Sequence, residues 1–261
     1  MSTSAIAIPS RPVEGNHFAR ILAKEVRYEC VKMLRTRAFS LSVLGFPIMF
    51  YLLFGASNRH TEFARYLMAS YACMGTVSAC LFGIGMGISM ERAMGWLELK
   101  LASPMPRVAY LVAKIAGSAA FALVIQAVLM LLAVTVGQTH VTPMEALRLT
   151  GTVLVGILPF SAMGLLIAVA VPANSAPGII NLIYLPMSFA SGFWMPITYL
   201  PHWLQKFAPV LPTYHLAQLA LGTIGMAQPG GGAQHLQVLA GYTLVLFGAA
   251  WMIFSRQEAK A

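Results

Sequence analysis

Residues 109–136 read AYLVAKIAGSAAFALVIQAVLMLLAVTV, 28 positions with Lys114 as the single charge. A helix of that length extends about 42 Å at 1.5 Å per residue, whereas about 20 apolar residues already cross a bilayer. This stretch sets the class: an all-α integral membrane protein. Lys114 lies about a turn inside the run, placed to snorkel to the near surface, and Gln126 is the main polar side chain at its centre.

Working outward, apolar runs recur at 39–57, 66–90, 143–171, 177–194 and 236–254, so six transmembrane helices are expected. Of 261 residues, 58% are hydrophobic and 10% charged, against roughly a quarter charged in a soluble domain. That balance excludes a soluble enzyme, and the short loops leave no room for a second catalytic domain of about 100 to 150 residues. The predicted organisation is a flexible tail (1–16), an amphipathic interfacial helix (17–37), a transmembrane domain (38–255) and a tail (256–261). The first long run begins near Phe39, too late for a cleaved secretory signal, so the amino terminus is expected to stay.

In the 17–37 segment, Phe18, Leu22, Val26 and Met33 share one helical face, with Arg20, Lys24, Arg27 and Arg35 broadly opposite. Such a helix suits the membrane interface. Glu25 and Glu29 intrude at the edge of the apolar face, which leaves a solvated juxtamembrane helix as the alternative. Thr142, Pro143 and Glu145 form a capping-box start for the fourth run. Pro159 and Pro186 are expected to kink the fourth and fifth helices, and residues 172–177 to turn between them. Residues 229–232 read as a flexible link before the last run.

Thirteen of the 17 Lys and Arg fall on the side of the two termini and four on the other, which predicts cytoplasmic termini. The same flanking pattern accounts for the net charge of +9 without nucleic acid. All eight acids are Glu. The spans hold almost no ionisable side chains of the kind an ion-coupled carrier buries. The chain also lacks any Gly-Lys dipeptide, and hence a phosphate-binding loop, as well as H-E-x-x-H and G-x-S-x-G signatures. No catalytic residue, metal site or cofactor is expected on this chain. The driving force must then come from elsewhere, and a separate ATPase is the obvious donor. The histidines are scattered along the sequence and read as loop or interface residues. Cys73 and Cys80, two turns apart on one helix, lie beyond disulfide reach, and Cys30 stands alone.

The run after the second span, residues 91–107, reads ERAMGWLELKLASPMPR. It predicts a short helix with Leu97 and Leu101 one turn apart as an apolar ridge, Glu91, Glu98 and Lys100 beside it, and Pro104 as its stop. An apolar ridge rimmed by charge suggests docking. In the second span, Gly75, Ala79, Gly83 and Gly87 form a small-residue ladder that admits a close helix, with packing inside one subunit expected ahead of a dimer contact.

This loop resembles that of ABC-2 type transporter permease subunits, approximately E-R-E-x-G-T-L-E-x-L-x-x-T-P followed by an Arg and, later, a Lys. Glu91, Arg92, Gly95, Leu97, Glu98, Leu101, Pro104, Arg107 and Lys114 match; Ala93, Trp96 and Ser103 stand where the family has Glu, Thr and Thr. The resemblance implies a coupling helix over 91–104 seated in a groove of a nucleotide-binding subunit. Residues 191–221 are similar to the family's S-G-x-x-x-P, L-P-x-W-L and N-P-x-x-Y elements through Pro196, Pro201, Trp203, Leu204, Pro212 and Tyr214, with Ala208 in place of the Asn. That implies a re-entrant outer segment over 194–226. The implied protein is a multi-pass half-transporter of the bacterial cytoplasmic (inner) membrane that exports a drug- or lipid-like amphiphile. Two copies of a cytoplasmic ABC ATPase carry the ATP and Mg, a second permease copy (identical or a paralogue) completes the path, and membrane lipid surrounds it. The alternatives are export of a lipid-linked glycan, an integral membrane enzyme acting on lipid, and a passive structural subunit or channel.

Overall fold

The computed structural model describes residues 15–102, 106–228 and 230–258. Regular structure among them is helical throughout. α1 (Gly15–Arg35) and α2 (Arg37–Phe50) meet at Thr36, the one non-helical residue between them. The second span begins with α3 (Glu62–Cys80), passes through a π-helical segment at Leu81–Met86 and ends in α4 (Gly87–Ala93). α5 (Trp96–Ala102) follows, then α6 (Arg107–Thr135), α7 (Pro143–Ala170), α8 (Ala176–Ala190), α9 (His202–Phe207), α10 (Pro212–Thr223) and α11 (Gly232–Glu258).

Among the described residues, five stretches are long and apolar enough to cross a membrane: Phe39–Asn58, Glu62–Ala93, Val108–Thr135, Pro143–Ala170 and Gly232–Ser255. The sixth expected run becomes α8, only 15 residues and thus about 22 Å long. It stops because Gly192 adopts φ +82°, a conformation that ends helices, and the Tyr66 hydroxyl donates to the Gly192 carbonyl. The last residues of the apolar run therefore turn away from the helix axis instead of extending it.

The Glu62–Ala93 helix is the hub, enclosed almost completely by its neighbours. α6, α7, α10, α2 and α8 pack around it, α1 lies along α6, and α11 covers α7 and α10. Small residues set the closeness. A Cβ on Gly164 of α7 would lie 3.0 Å from the Cys80 carbonyl oxygen and 3.2 Å from the Gly85 nitrogen, so two helix backbones touch there. On the same hub, a Cβ on Gly75 would lie 2.5 Å from Ile125 Cγ2 of α6, one on Gly83 2.8 Å from Ser118 Oγ, and one on Gly87 3.8 Å from Lys114 Nζ. Ala79 is fully buried.

The far end of the bundle is fastened by polar contacts. Thr142 caps α7 with a reciprocal Glu145 box, and Arg65 at the start of α3 reaches Glu145 at 2.6 Å and Glu62 at 3.2 Å. Phe46, Phe50, Tyr71 and Trp194 interlock there through tilted and edge-on ring contacts. Pro159 and Pro186 both lie inside helices.

Candidate functional site: a buried charge cluster beneath a short exposed helix

At the α5 end of the bundle, the chain concentrates the charges that its spans otherwise lack. Lys114, from the first turns of α6, is 2% exposed. Its Nζ lies 2.9 Å from Glu29 Oε1 of α1 and 2.8 Å from Glu91 Oε1 of α4. The Tyr110 hydroxyl, one turn earlier, donates to Glu91 Oε2 at 2.6 Å, and Lys32 of α1 donates to Glu91 Oε1. Glu91 thus takes three donors from two other helices. The snorkelling expected of Lys114 does not occur, because two carboxylates in the interior compensate its charge better than a stretched path to the surface.

The cluster extends to α5. Lys100 pairs with Glu25, lies 3.6 Å from Glu29 Oε1, and sits 5.1 Å from the Tyr110 ring centroid and 5.5 Å from that of Tyr28. Three lysines therefore meet three glutamates. Burial works against the Lys32 ammonium, but the hydrogen bond to Glu91 and the charges of Glu29 and Glu91 outweigh it and raise its pKa above the ordinary 10.5. Lys100 behaves likewise: burial opposes its charge, and Glu25, with Glu91 and Glu29, more than restores it. A cavity of about 230 Å³ opens beside the cluster, lined by Glu29, Lys32, Glu91 and Lys114 with Met33 and Trp96.

α5 is set on this base by Gly95, whose φ of +73° reverses the chain after α4, its N–H donating to the Arg92 carbonyl at 3.2 Å. Arg92 in turn donates to the Val171 carbonyl at the end of α7. Leu97 was expected on the docking ridge. It packs instead against its own bundle, on the cluster of Ile88, Tyr110 and Ala168. The apolar side chains that α5 and its approach present outward are Met94, Trp96 and Leu99, at 55%, 49% and 72% exposure. With Leu97 and Leu101 on one face and Trp96 and Leu99 on another, a seven-residue helix is apolar on both, and sequence spacing alone does not say which one turns inward. The side chains of Glu98, Leu101 and Arg107, and all of Pro104, lie outside the described residues.

The opposite segment has its own order. Pro196 and Pro201 precede the short turns at Ile197–Tyr199 and α9, and Pro212 occupies the first turn of α10. Leu204 packs with Ile197, Leu200 and Ala208, with Tyr214 against them, while Trp203 and Tyr199 are exposed. His215 and His235, distant in sequence, face each other at 2.8 Å. Sequence reasoning missed that pair, and it missed Glu25, Glu29, Lys32 and Tyr110 as partners of the 91–107 loop. The available signal was Glu25 and Glu29, four residues apart on the edge of an otherwise apolar face.

The ABC-2 type transporter family model matches residues 24–224, which takes in the second half of α1, the charge cluster, α5 and the Pro-rich segment as far as α10. Along 92% of this chain and 99% of its own length, a Bacillus subtilis (strain 168) protein bearing the name transport permease YvfS is 26% identical over 245 residues. With apolar helices long enough to cross a membrane and a match over most of its length, this chain belongs to the ABC-2 type transporter family.

Proposed function

We propose that the chain is the permease subunit of an ATP-driven exporter of an amphiphilic, drug- or lipid-like molecule. A separate cytoplasmic ABC ATPase, in two copies, binds ATP and Mg, and a second permease copy completes the path. The chain sits in the bacterial cytoplasmic membrane with both termini inside, as the distribution of Lys and Arg favours, and contributes no ATPase site.

The observation that carries this reading is the way α5 is mounted. Its outward side chains Trp96 and Leu99, with Met94 just before it, are apolar and exposed to an ATPase groove, while its inner side is fixed by Lys100 to Glu25 and by Leu97 to the Ile88–Tyr110–Ala168 cluster. A push on α5 therefore moves α1, α4 and α6 together, because Glu29, Glu91 and Lys114 lock them to one another. ATP-driven closure of the docked subunits thereby tilts the bundle. The Thr36 junction between α1 and α2 is where the moving cytoplasmic unit hands over to the first span.

The test is co-purification of an ABC ATPase with the chain in native membranes, followed by reconstitution. Nucleotide hydrolysis stimulated by an amphiphile, dependent on the partner and absent from the chain alone, supports the reading. Failure of any ATPase to associate, or ATP turnover by the isolated chain, rejects it.

A further inference from the structure

At the end of the bundle opposite α5, α7, α10 and α11 line an open cavity of about 530 Å³, within the size range of small-molecule sites. Its lining includes Arg148, Gln218 and His235 and contains no carboxylate. Arg148 has no ion-pair partner among the described residues, since Glu62 and Glu145, the acids at this end, are both taken by Arg65. Gln218 is 3% exposed. Its side-chain oxygen accepts from the Gln228 N–H at 2.7 Å, so its NH2 group is left as an unused donor.

The histidine pair fixes the third group. His215 Nε2 lies 2.9 Å from the Pro209 carbonyl, which only accepts, so Nε2 carries the proton and His215 Nδ1 in the neutral ring is an acceptor. His235 Nδ1, 2.8 Å away, must then be the N–H donor, and His235 Nε2 is left as a bare acceptor. The ring is 8% exposed. A Cβ built on Gly230, another lining residue, would lie 3.5 Å from that Nε2, so the nitrogen sits beside Gly230 at the cavity wall. Two side-chain groups with no protein partner among the described residues, one donor and one acceptor, thus line the same cavity as the exposed Arg148 guanidinium. Apolar walls from Leu219 and Leu236 complete the chamber.

We propose that this cavity binds an amphiphile whose head is a phosphate diester bearing a hydroxyl: Arg148 and Gln218 hold the phosphate oxygens, His235 Nε2 accepts from the hydroxyl, and the apolar body lies along Leu219 and Leu236. A guanidinium and an amide NH2 match adjacent phosphate oxygens, and a neutral imidazole nitrogen accepts from a hydroxyl.

The test is calorimetric titration of the full chain in detergent with short-chain phosphatidylglycerol, with phosphatidylmethanol (same charge, no hydroxyl), with phosphatidylcholine and with inorganic phosphate. Saturable binding of phosphatidylglycerol, about tenfold or more tighter than phosphatidylmethanol and phosphatidylcholine, is expected. Arg148→Gln should weaken it about tenfold and Gly151→Phe should abolish it; nothing lies within 4 Å of a Cβ at Gly151, so that variant fills the cavity without straining the helices. Both variants should keep the parent's unfolding temperature. Weak phosphate binding identifies the amphiphile as the ligand, and equally tight, Arg148-dependent phosphate binding identifies the free anion. Phosphatidylglycerol affinity unchanged in both variants, or matched by phosphatidylcholine, overturns the site. The ATPase plays no part in this titration, so its outcome is separate from that of the transport reading.

Discussion

Lys114 of α6 and Glu91 of α4 meet at 2.8 Å, both almost wholly buried, with Glu29 of α1 completing the contact from the other side at 2.9 Å. Removing one partner of such a group strands the others in a poorly solvated interior, which costs about 3 to 5 kcal/mol. Lys114→Met should therefore lower thermal stability in detergent by several degrees and loosen α1, read as faster hydrogen exchange in that helix. Adding Glu29→Gln, Glu91→Gln and Lys32→Met to Lys114→Met should recover much of the loss, because Lys32 would otherwise be left without Glu91 and the uncharged set no longer carries an unpaired ion. A double-mutant cycle that shows no coupling between Lys114 and Glu91 would contradict the lock.

The two faces of α5 give separable outcomes. Leu99→Asp and Trp96→Asp place a charge on the exposed face, so expression and unfolding temperature should stay near the parent while association with the ATPase falls about tenfold or more, as charges buried unpaired in an interface do. Leu97→Asp instead buries a carboxylate against Ile88 and Tyr110 and should destabilise the chain itself by about 2 kcal/mol or more. Thermal unfolding and a pull-down on the same three proteins decide it. Equal behaviour of Leu97 and Leu99 variants would mean that the helix rotates on docking.

How much of this was legible beforehand depends on range. The capping box at Thr142 and Glu145 and the short helix after the second span are written in neighbouring residues, and the family motif lies there too, whereas the turn at Gly95 breaks the helix expected over 91–104. The partners of Lys114 are not: Glu29 is 85 positions away, and no periodicity pairs them. An isolated lysine near a helix end reads as snorkelling because water is the default partner, and only the packing of α1 against α6 supplies a better one. The length of α8 was likewise hidden, since hydropathy counts residues 191–194 as part of the apolar run, whereas a positive φ at Gly192 and the Tyr66 hydroxyl turn the chain there.

Close packing on the hub gives a third prediction. A side chain at Gly164 has no room against Cys80 and Gly85, so Gly164→Val should destabilise by about 1 to 3 kcal/mol. Gly178→Ala, where nothing lies within 4 Å, should be neutral or slightly stabilising, by at most about 1 kcal/mol. Unfolding temperatures of the two variants in one detergent make the comparison, and equal effects would show that the α3–α7 contact is looser than described.

The last prediction concerns alkaline pH. Lys32 and Lys100 have pKa values raised by their glutamate partners, so folding holds their protons more tightly than the unfolded chain, where a lysine titrates near 10.4. The sign follows from linkage: this stabilisation is fully present below the unfolded value and is lost as the pH rises through the higher folded one. Between about pH 7 and 9.5 the two lysines should contribute no slope to stability. Above about pH 10.5 the unfolding temperature should fall, and α1 should be the first helix to lose protection from hydrogen exchange. A Lys32→Met, Lys100→Met double variant should begin less stable, since Glu25 loses its partner and Glu91 one of its three donors, but should show a shallower decline at the alkaline end. An equally steep alkaline decline in that variant would place the titrating groups elsewhere and separate the anchoring of α5 from these two lysines.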